Sequence, residues 1–209
     1  MKNGSFIVVG CFVIGCLVGY ADLIPTKWYS GDVALVLLYL LMLQVGLSIG
    51  LDKNLRQIVT RIRLKFLLVP LATISGTLLF SALLGLCLSG FSFADYMAVG
   101  SGFAYYSLSS ILITQLKTPS LGFLLASELG TIALMANIFR EILTLFGAPF
   151  LARYFGKLAP ICAGGATTMD VTLPVITQVC GKEWTVMAIF HGILMDFSVP
   201  FFVSFFCSL

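Results

Sequence analysis

Apolar positions along this chain fall in long continuous runs. They do not alternate, and they do not recur at three- or four-residue spacing. Residues 5–21, 32–51, 64–89, 121–148 and 184–208 are each built mainly of Leu, Val, Ile, Phe, Ala and Gly. A helix rises 1.5 Å per residue, so a run of about twenty crosses roughly 30 Å of hydrocarbon. Five spanning helices are therefore predicted, the first being the shortest. The lack of strict alternation argues against a lipid-facing β-barrel.

Two segments depart from this pattern. Residues 94–115 read "ADYMAVGSGFAYYSLSSILITQ", and residues 160–181 contain "CAGGATTMDVTLPV" at 162–175. Both place Gly, Ser, Thr or Tyr at membrane depth. In hydrocarbon every backbone N–H and C=O needs a partner, so irregular backbone survives only inside protein or beside a watery cavity. Transporters use such broken helices to hold solutes and ions near the midplane. The segments share a plan of small residues, then hydroxyls, then an apolar return, which suggests a repeat pair, inverted as in many transporters. Each is either a spanning broken helix or a re-entrant hairpin. The hairpin reading is favoured because it keeps Arg153, Lys157 and Lys182 on one side.

Composition agrees with lipid as the solvent. The chain is 59% hydrophobic and 10% charged, with a mean hydropathy of +1.06. Soluble domains are typically about 25% charged. The predicted class is an all-α polytopic integral membrane protein: one transmembrane domain over 1–209, with about five spans plus two broken or re-entrant segments.

Charge then sets orientation. Lys53, Arg56, Arg61, Arg63 and Lys65 crowd the connection 52–65, whereas 22–31 holds only Lys27. Basic residues concentrate on the cytoplasmic side, so the N-terminus is expected inside and the C-terminus outside. The net charge of +3 is a topology signal and gives no reason to expect nucleic-acid binding. Gly19-Tyr20-Ala21-Asp22 is a poor cleavage site, so the first run reads as a helix, not a signal peptide.

Asp170 is the leading candidate for chemistry. A charged Asp at the centre of an inserted helix costs roughly 2.5–3.5 kcal/mol, so it points to a proton or cation site. The competing structural reading is a cap on a half-helix N-terminus. Gly164 and Gly165 permit unusual dihedrals, and Thr167, Thr168 and Thr172 offer hydroxyls. Pro174 frees a carbonyl one turn earlier. Such groups would suit a cationic amino acid. In the other broken segment Ser101, Tyr105, Tyr106 and Ser107 read as cavity lining. In the run 121–148, Asn137 and Glu141 share a helix face, while Arg140 is adjacent to Glu141 and lies on another. These three are either a site or a helix-fixing set, with Arg140–Glu141 expected about two turns from the helix end. Glu128, His191 and Asp196 are second-tier candidates.

The six cysteines, at 11, 16, 87, 162, 180 and 207, form no CxxC pair. With one His there is no zinc, haem or iron–sulfur set, and no cofactor is expected. Gly15-x-x-x-Gly19 and Gly46-x-x-x-Gly50 suit close helix packing. No nucleotide loop, triad or metalloprotease motif appears, so enzyme activity is disfavoured.

Four stretches carry a family resemblance: "SGFAYYSLSS" at 101–110, "REI" at 140–142, "GGATTMDVTLPVI" at 164–176 and "FHGILMDFSVPFFVSFF" at 190–206. With "QVGLSIGL" at 44–51, they resemble the lysine exporter family LysO in order over nearly the whole chain. The resemblance implies an inner-membrane secondary transporter exporting L-lysine and cationic analogues by proton antiport, with sodium the alternative coupling ion. It also implies that Asp170 falls on the family's signature acid. Full-length members carry roughly three further helices ahead of the part seen here. A truncated sequence, a shortened homologue and a split gene would each explain this; the split is favoured, with a small N-terminal membrane subunit as partner and a homodimer also allowed. The alternatives are a cation-coupled carrier of another small solute and a non-transporting channel or scaffold subunit.

Overall fold

The computed structural model describes residues 64–209, together with positions 14, 17–21, 36, 40 and 43. The chain divides into two units, Met1–Leu40 and Leu41–Leu209. In the first, residues 17–20 are helical and the Ala21 N–H donates to the Leu17 carbonyl at 2.9 Å. The rest of the expected spans 5–21 and 32–51 lies outside the described residues. So do Gly15, Gly46, Gly50, Cys11, Cys16 and the basic connection 52–63.

The second unit is helical throughout its described part, with no strand among those residues. A 3-10 turn, Leu64–Leu67, enters α1, Leu68–Cys87. There follow α2, Phe93–Gly100; α3, Tyr106–Leu121; and α4, Phe123–Phe155. Then come α5, Ala159–Gly164, a 3-10 turn at Gly165–Met169, and α6, Leu173–Cys180. A last 3-10 turn, Lys182–Trp184, leads into α7, Thr185–Cys207.

Among the described residues, three helices are long and apolar enough to cross a membrane: those at Leu68–Cys87, Phe123–Phe155 and Lys182–Cys207. Their faces are sorted as lipid demands. On α4 the exposed positions include Phe139, Leu143, Phe146 and Phe150, while the buried ones include Gly130, Ala133, Asn137, Thr144 and Ala148. Lipid tails are as apolar as Leu, so helices associate through small and polar residues. A Cβ at Gly130 would meet the Ser110 carbonyl and the Thr114 side chain, so α3 lies close against α4 there.

The apolar run 121–148 understates α4. The helix continues through Pro149 to Phe155, because one proline removes one donor and membrane helices absorb that loss. Arg140 and Glu141 consequently sit near the middle of the helix. The expectation of two turns from its end is corrected.

Both irregular segments double back. Asp95, at the start of α2, forms an ion pair with Lys117, near the end of α3, at 2.8 Å. A continuous helix would hold them roughly 30 Å apart. At the other segment Lys157 Nζ meets Glu183 Oε1 at 3.2 Å, and the Cys180 thiol donates to the Lys157 carbonyl at 3.3 Å. The two hairpin tips meet: the Ala166 N–H donates to the Phe103 carbonyl at 2.9 Å. From the base of the first hairpin α4 runs to the base of the second. α7 returns, placing Cys207 within electrostatic reach of Lys117 and Asp95. Two hairpin-plus-helix units thus run in opposite directions, the inverted arrangement of many transporters.

Candidate functional site

The site is built where the two tips touch. In the first tip Phe103 and Ala104 have φ of 43° and 73°. Such backbone costs roughly 1–2 kcal/mol for a residue with a Cβ. Asn137 of α4 holds it: its Oδ1 accepts the Ala104 N–H at 2.7 Å, while its Nδ2 donates to the Ala133 carbonyl at 2.8 Å and faces Ser109 Oγ at 3.4 Å. A Cβ at Gly102 would collide with the Asn137 amide. Ser101 is buried and donates to the Met97 carbonyl at 2.7 Å.

In the second tip Gly165 has φ +58° and ψ −131°, a region almost exclusive to glycine. A Cβ there would strike the Phe103 carbonyl. Thr167 donates to the Gly164 carbonyl at 2.8 Å, and its Oγ1 lies 3.3 Å from that of Thr172. The Thr168 hydroxyl lies 2.8 Å from the carbonyls of Gly165 and Ala188. All three threonines are buried, so they stabilise the turn from within. His191, fully buried on α7, bridges Thr73 of α1 at 2.9 Å from Nε2 and Thr168 at 3.3 Å from Nδ1. It is a hydrogen-bonded strut between α1 and the second tip.

Arg140 makes no ion pair with Glu141. Its Nε donates to Ala163 O at 2.8 Å, Nη2 to Cys162 O at 3.0 Å and Nη1 to Thr77 Oγ1 at 3.3 Å. The carbonyls freed by the break of α5 are therefore held by the guanidinium, at the helix end where a cation is most favoured.

The carboxylates gather beside these struts. Asp170 is exposed and its side chain accepts the Val171 N–H. That donor precedes α6, so Asp170 does not cap the helix's first turn. Asp170 lies within electrostatic reach of Tyr105, Tyr106, Glu141 and Asp196. Glu141 Oε2 is buried without a hydrogen-bond partner. Ser107 is half-buried beside the tyrosines in the chain. Glu128 is exposed near the start of α4, away from this group. Among the described residues no three His, Cys, Asp or Glu groups converge as a metal set, and cysteines 87, 162, 180 and 207 are free thiols.

Three residues escaped sequence reasoning. Asp95 and Lys117 form a buried pair, and Thr77 meets Arg140. Asp95 did carry a signal, since Ser92-x-x-Asp95 is a capping box: each side chain pairs with the other's backbone N–H, at 3.2 and 2.9 Å. A cavity of about 210 Å³ between α1, α2 and α4 reaches Thr77, Tyr96, Asn137 and Arg140.

Comparison with known proteins decides the family. The family model described as "Lysine exporter LysO" matches residues 9–207. The chain belongs to the lysine exporter LysO family. Lysine exporter LysO of Escherichia coli (strain K12) is 30% identical over 210 residues, covering 99% of this chain and 65% of that protein. A putative lysine exporter of Haemophilus influenzae is 37% identical over 112 residues, covering 54% of this chain and 53% of that protein. The chain thus spans less than two thirds of the length of these LysO relatives. No solved structure matches. The family is one of transporters, not enzymes, and this member is a multi-pass, all-α membrane protein.

Proposed function

We propose that this chain is the core of a secondary active transporter that exports L-lysine from the cytoplasm across the inner membrane, driven by proton antiport. One observation supports the reading most: the tips of two oppositely directed hairpins meet at the Phe103–Ala166 hydrogen bond, beside Asp170 and Glu141. Broken backbone beside intramembrane acids is how transporters build midplane cation sites. Family membership supports lysine as the substrate.

In this mechanism Asp170 alternates between holding a proton and holding the substrate ammonium. Glu141, whose Oε2 lacks a partner, is the second acceptor. Tyr105, Tyr106 and Ser107 line the approach. Thr167, Thr168, Thr172, Gly165, Ser101, Asn137 and Arg140 hold the tips in register. Residues 52–65, Arg153, Lys157 and Lys182 face the cytoplasm and the C-terminus faces outward, following the distribution of positive charge.

The test is lysine efflux from lysine-loaded cells lacking other exporters. They would express the chain alone or with a protein supplying the remaining length of its relatives, each with and without Asp170→Asn. Saturable, gradient-dependent efflux that disappears in Asp170→Asn at normal membrane levels is the expected result. If neither wild-type arm moves lysine, the substrate is wrong. Unchanged efflux from Asp170→Asn makes that acid structural.

A further inference from the structure

Among the described residues Asp196 is a buried acid that no contact accounts for. It sits on the inward face of α7 with Gly192 one turn before it and Val199 one turn after, and it is only 4% exposed. A Cβ at Gly192 would meet the backbone N of Met169 at 2.6 Å. At the other end of this face the Phe202 ring packs edge-on against Phe103 with centroids 5.9 Å apart. Asp196 therefore lies between the second tip and the first, beside their crossing. Among the described residues its carboxylate has no hydrogen bond and no ion pair, and its electrostatic neighbours are Asp170 and Tyr105. A carboxylate with no partner at this depth either takes up a proton or meets a cation, so a cationic ligand group at the tips would find an unengaged acceptor.

The cations whose side chains are described are placed elsewhere. The Arg140 fork is on carbonyls, Lys117 is on Asp95 and Lys157 is on Glu183. Arg153 stacks over Tyr154, 5.7 Å from the ring centroid, and Lys182 is exposed at the base of the second hairpin. Among the described side chains no cation stands ready at the tips for a ligand carboxylate, whereas carboxylates are present from two directions. The acids also do not converge as one metal set. Separated carboxylates fit two separated positive groups.

We propose that Asp196 and Asp170 form a two-point site for a diammonium ligand, with Asp196 holding the second ammonium. The site then reads ammonium groups at both ends of a short aliphatic chain and takes α,ω-diamines that lack a carboxylate as well as diamino acids. This rests on the reading of Asp170 as a cation site and adds a second anchor and a wider ligand class.

The test is equilibrium binding to the purified chain in lipid nanodiscs, with pentane-1,5-diamine and pentylamine as probes of one length and different charge. Wild type should bind the diamine at least tenfold more tightly than the monoamine, the scale of one charge-assisted contact. Asp196→Asn should abolish that preference while leaving pentylamine affinity within about twofold. Asp196→Glu, which keeps the charge, should retain part of it. Equal affinities in wild type, a preference that survives Asp196→Asn, or no diamine binding at all each overturn the proposal. Diamine binding that depends on Asp196 in a chain that moves no lysine would sink the export reading and leave this one standing. Lysine efflux without diamine preference does the reverse.

Discussion

Arg140 and Ala163 belong to different helices, yet the guanidinium of the first donates to the carbonyl of the second at 2.8 Å. A residue that reads in sequence as half of an Arg–Glu pair is instead the clasp on a broken helix. An Arg at membrane depth costs about 2.5–3.5 kcal/mol on insertion scales. Hydrogen bonds to a charged group return about 1.5–3 kcal/mol each, so two carbonyls are enough to offset that cost.

Arg140→Ala should therefore destabilise the protein by about 2–4 kcal/mol, since it leaves two helix-end carbonyls buried and unpaired. Arg140→Lys should recover less than half, because a point charge replaces a planar fork. Thermal unfolding in detergent followed by tryptophan fluorescence measures both.

Gly165→Ala should fail to accumulate in the membrane or should lose transport outright. The new methyl would occupy the place of the Phe103 carbonyl and break the Ala166–Phe103 contact. Gly147→Ala is the control, its nearest contact being Leu151 Cδ1 at 4.0 Å. Within helix α4 it should be neutral or stabilising by up to about 1 kcal/mol. Expression level and efflux of the two variants, side by side, make the comparison.

Asn137→Ala removes the acceptor that fixes Ala104 in its positive-φ state. We expect a loss of about 1–3 kcal/mol and a first tip that relaxes. Protease or thiol-labelling access at Tyr105→Cys should rise in this background, and an unchanged labelling rate would count against the strut role.

Lys117→Met should cost about 3–5 kcal/mol by leaving Asp95 buried and uncompensated, while the added change Asp95→Asn should restore most of it. Asn keeps an acceptor for the Ser92 N–H. Glu183→Gln, at the exposed pair, should leave stability essentially unchanged. A double-mutant cycle by chemical denaturation distinguishes the two pairs.

The apolar runs 64–89 and 184–208 were legible because lipid imposes length and composition on a span; α1 and α7 lie inside them. The irregularity of 94–115 and 160–181 was legible too, since glycines and hydroxyls at that depth mark unwound backbone. Doubling back was only a preference, because a hairpin and a broken span have the same local composition. It takes Asp95 meeting Lys117 to separate them. The engagement of Arg140 was out of reach for a similar reason, as its partners are backbone carbonyls with no side-chain signature. The positive φ of Phe103 and Ala104 was hidden because neither residue type advertises it; only Gly102 beside them gave notice of a turn.

The two hairpin bases are closed by unequal ion pairs. The Asp95–Lys117 side chains are 2% and 8% exposed, whereas those of Glu183 and Lys157 are 64% and 51% exposed. Dissolved ions screen exposed charges within about 8 Å at physiological strength and reach buried ones poorly. One hairpin base is thus fastened dry and the other wet. Added salt should therefore loosen the Lys157–Glu183 fastening and leave Asp95 and Lys117 as they were.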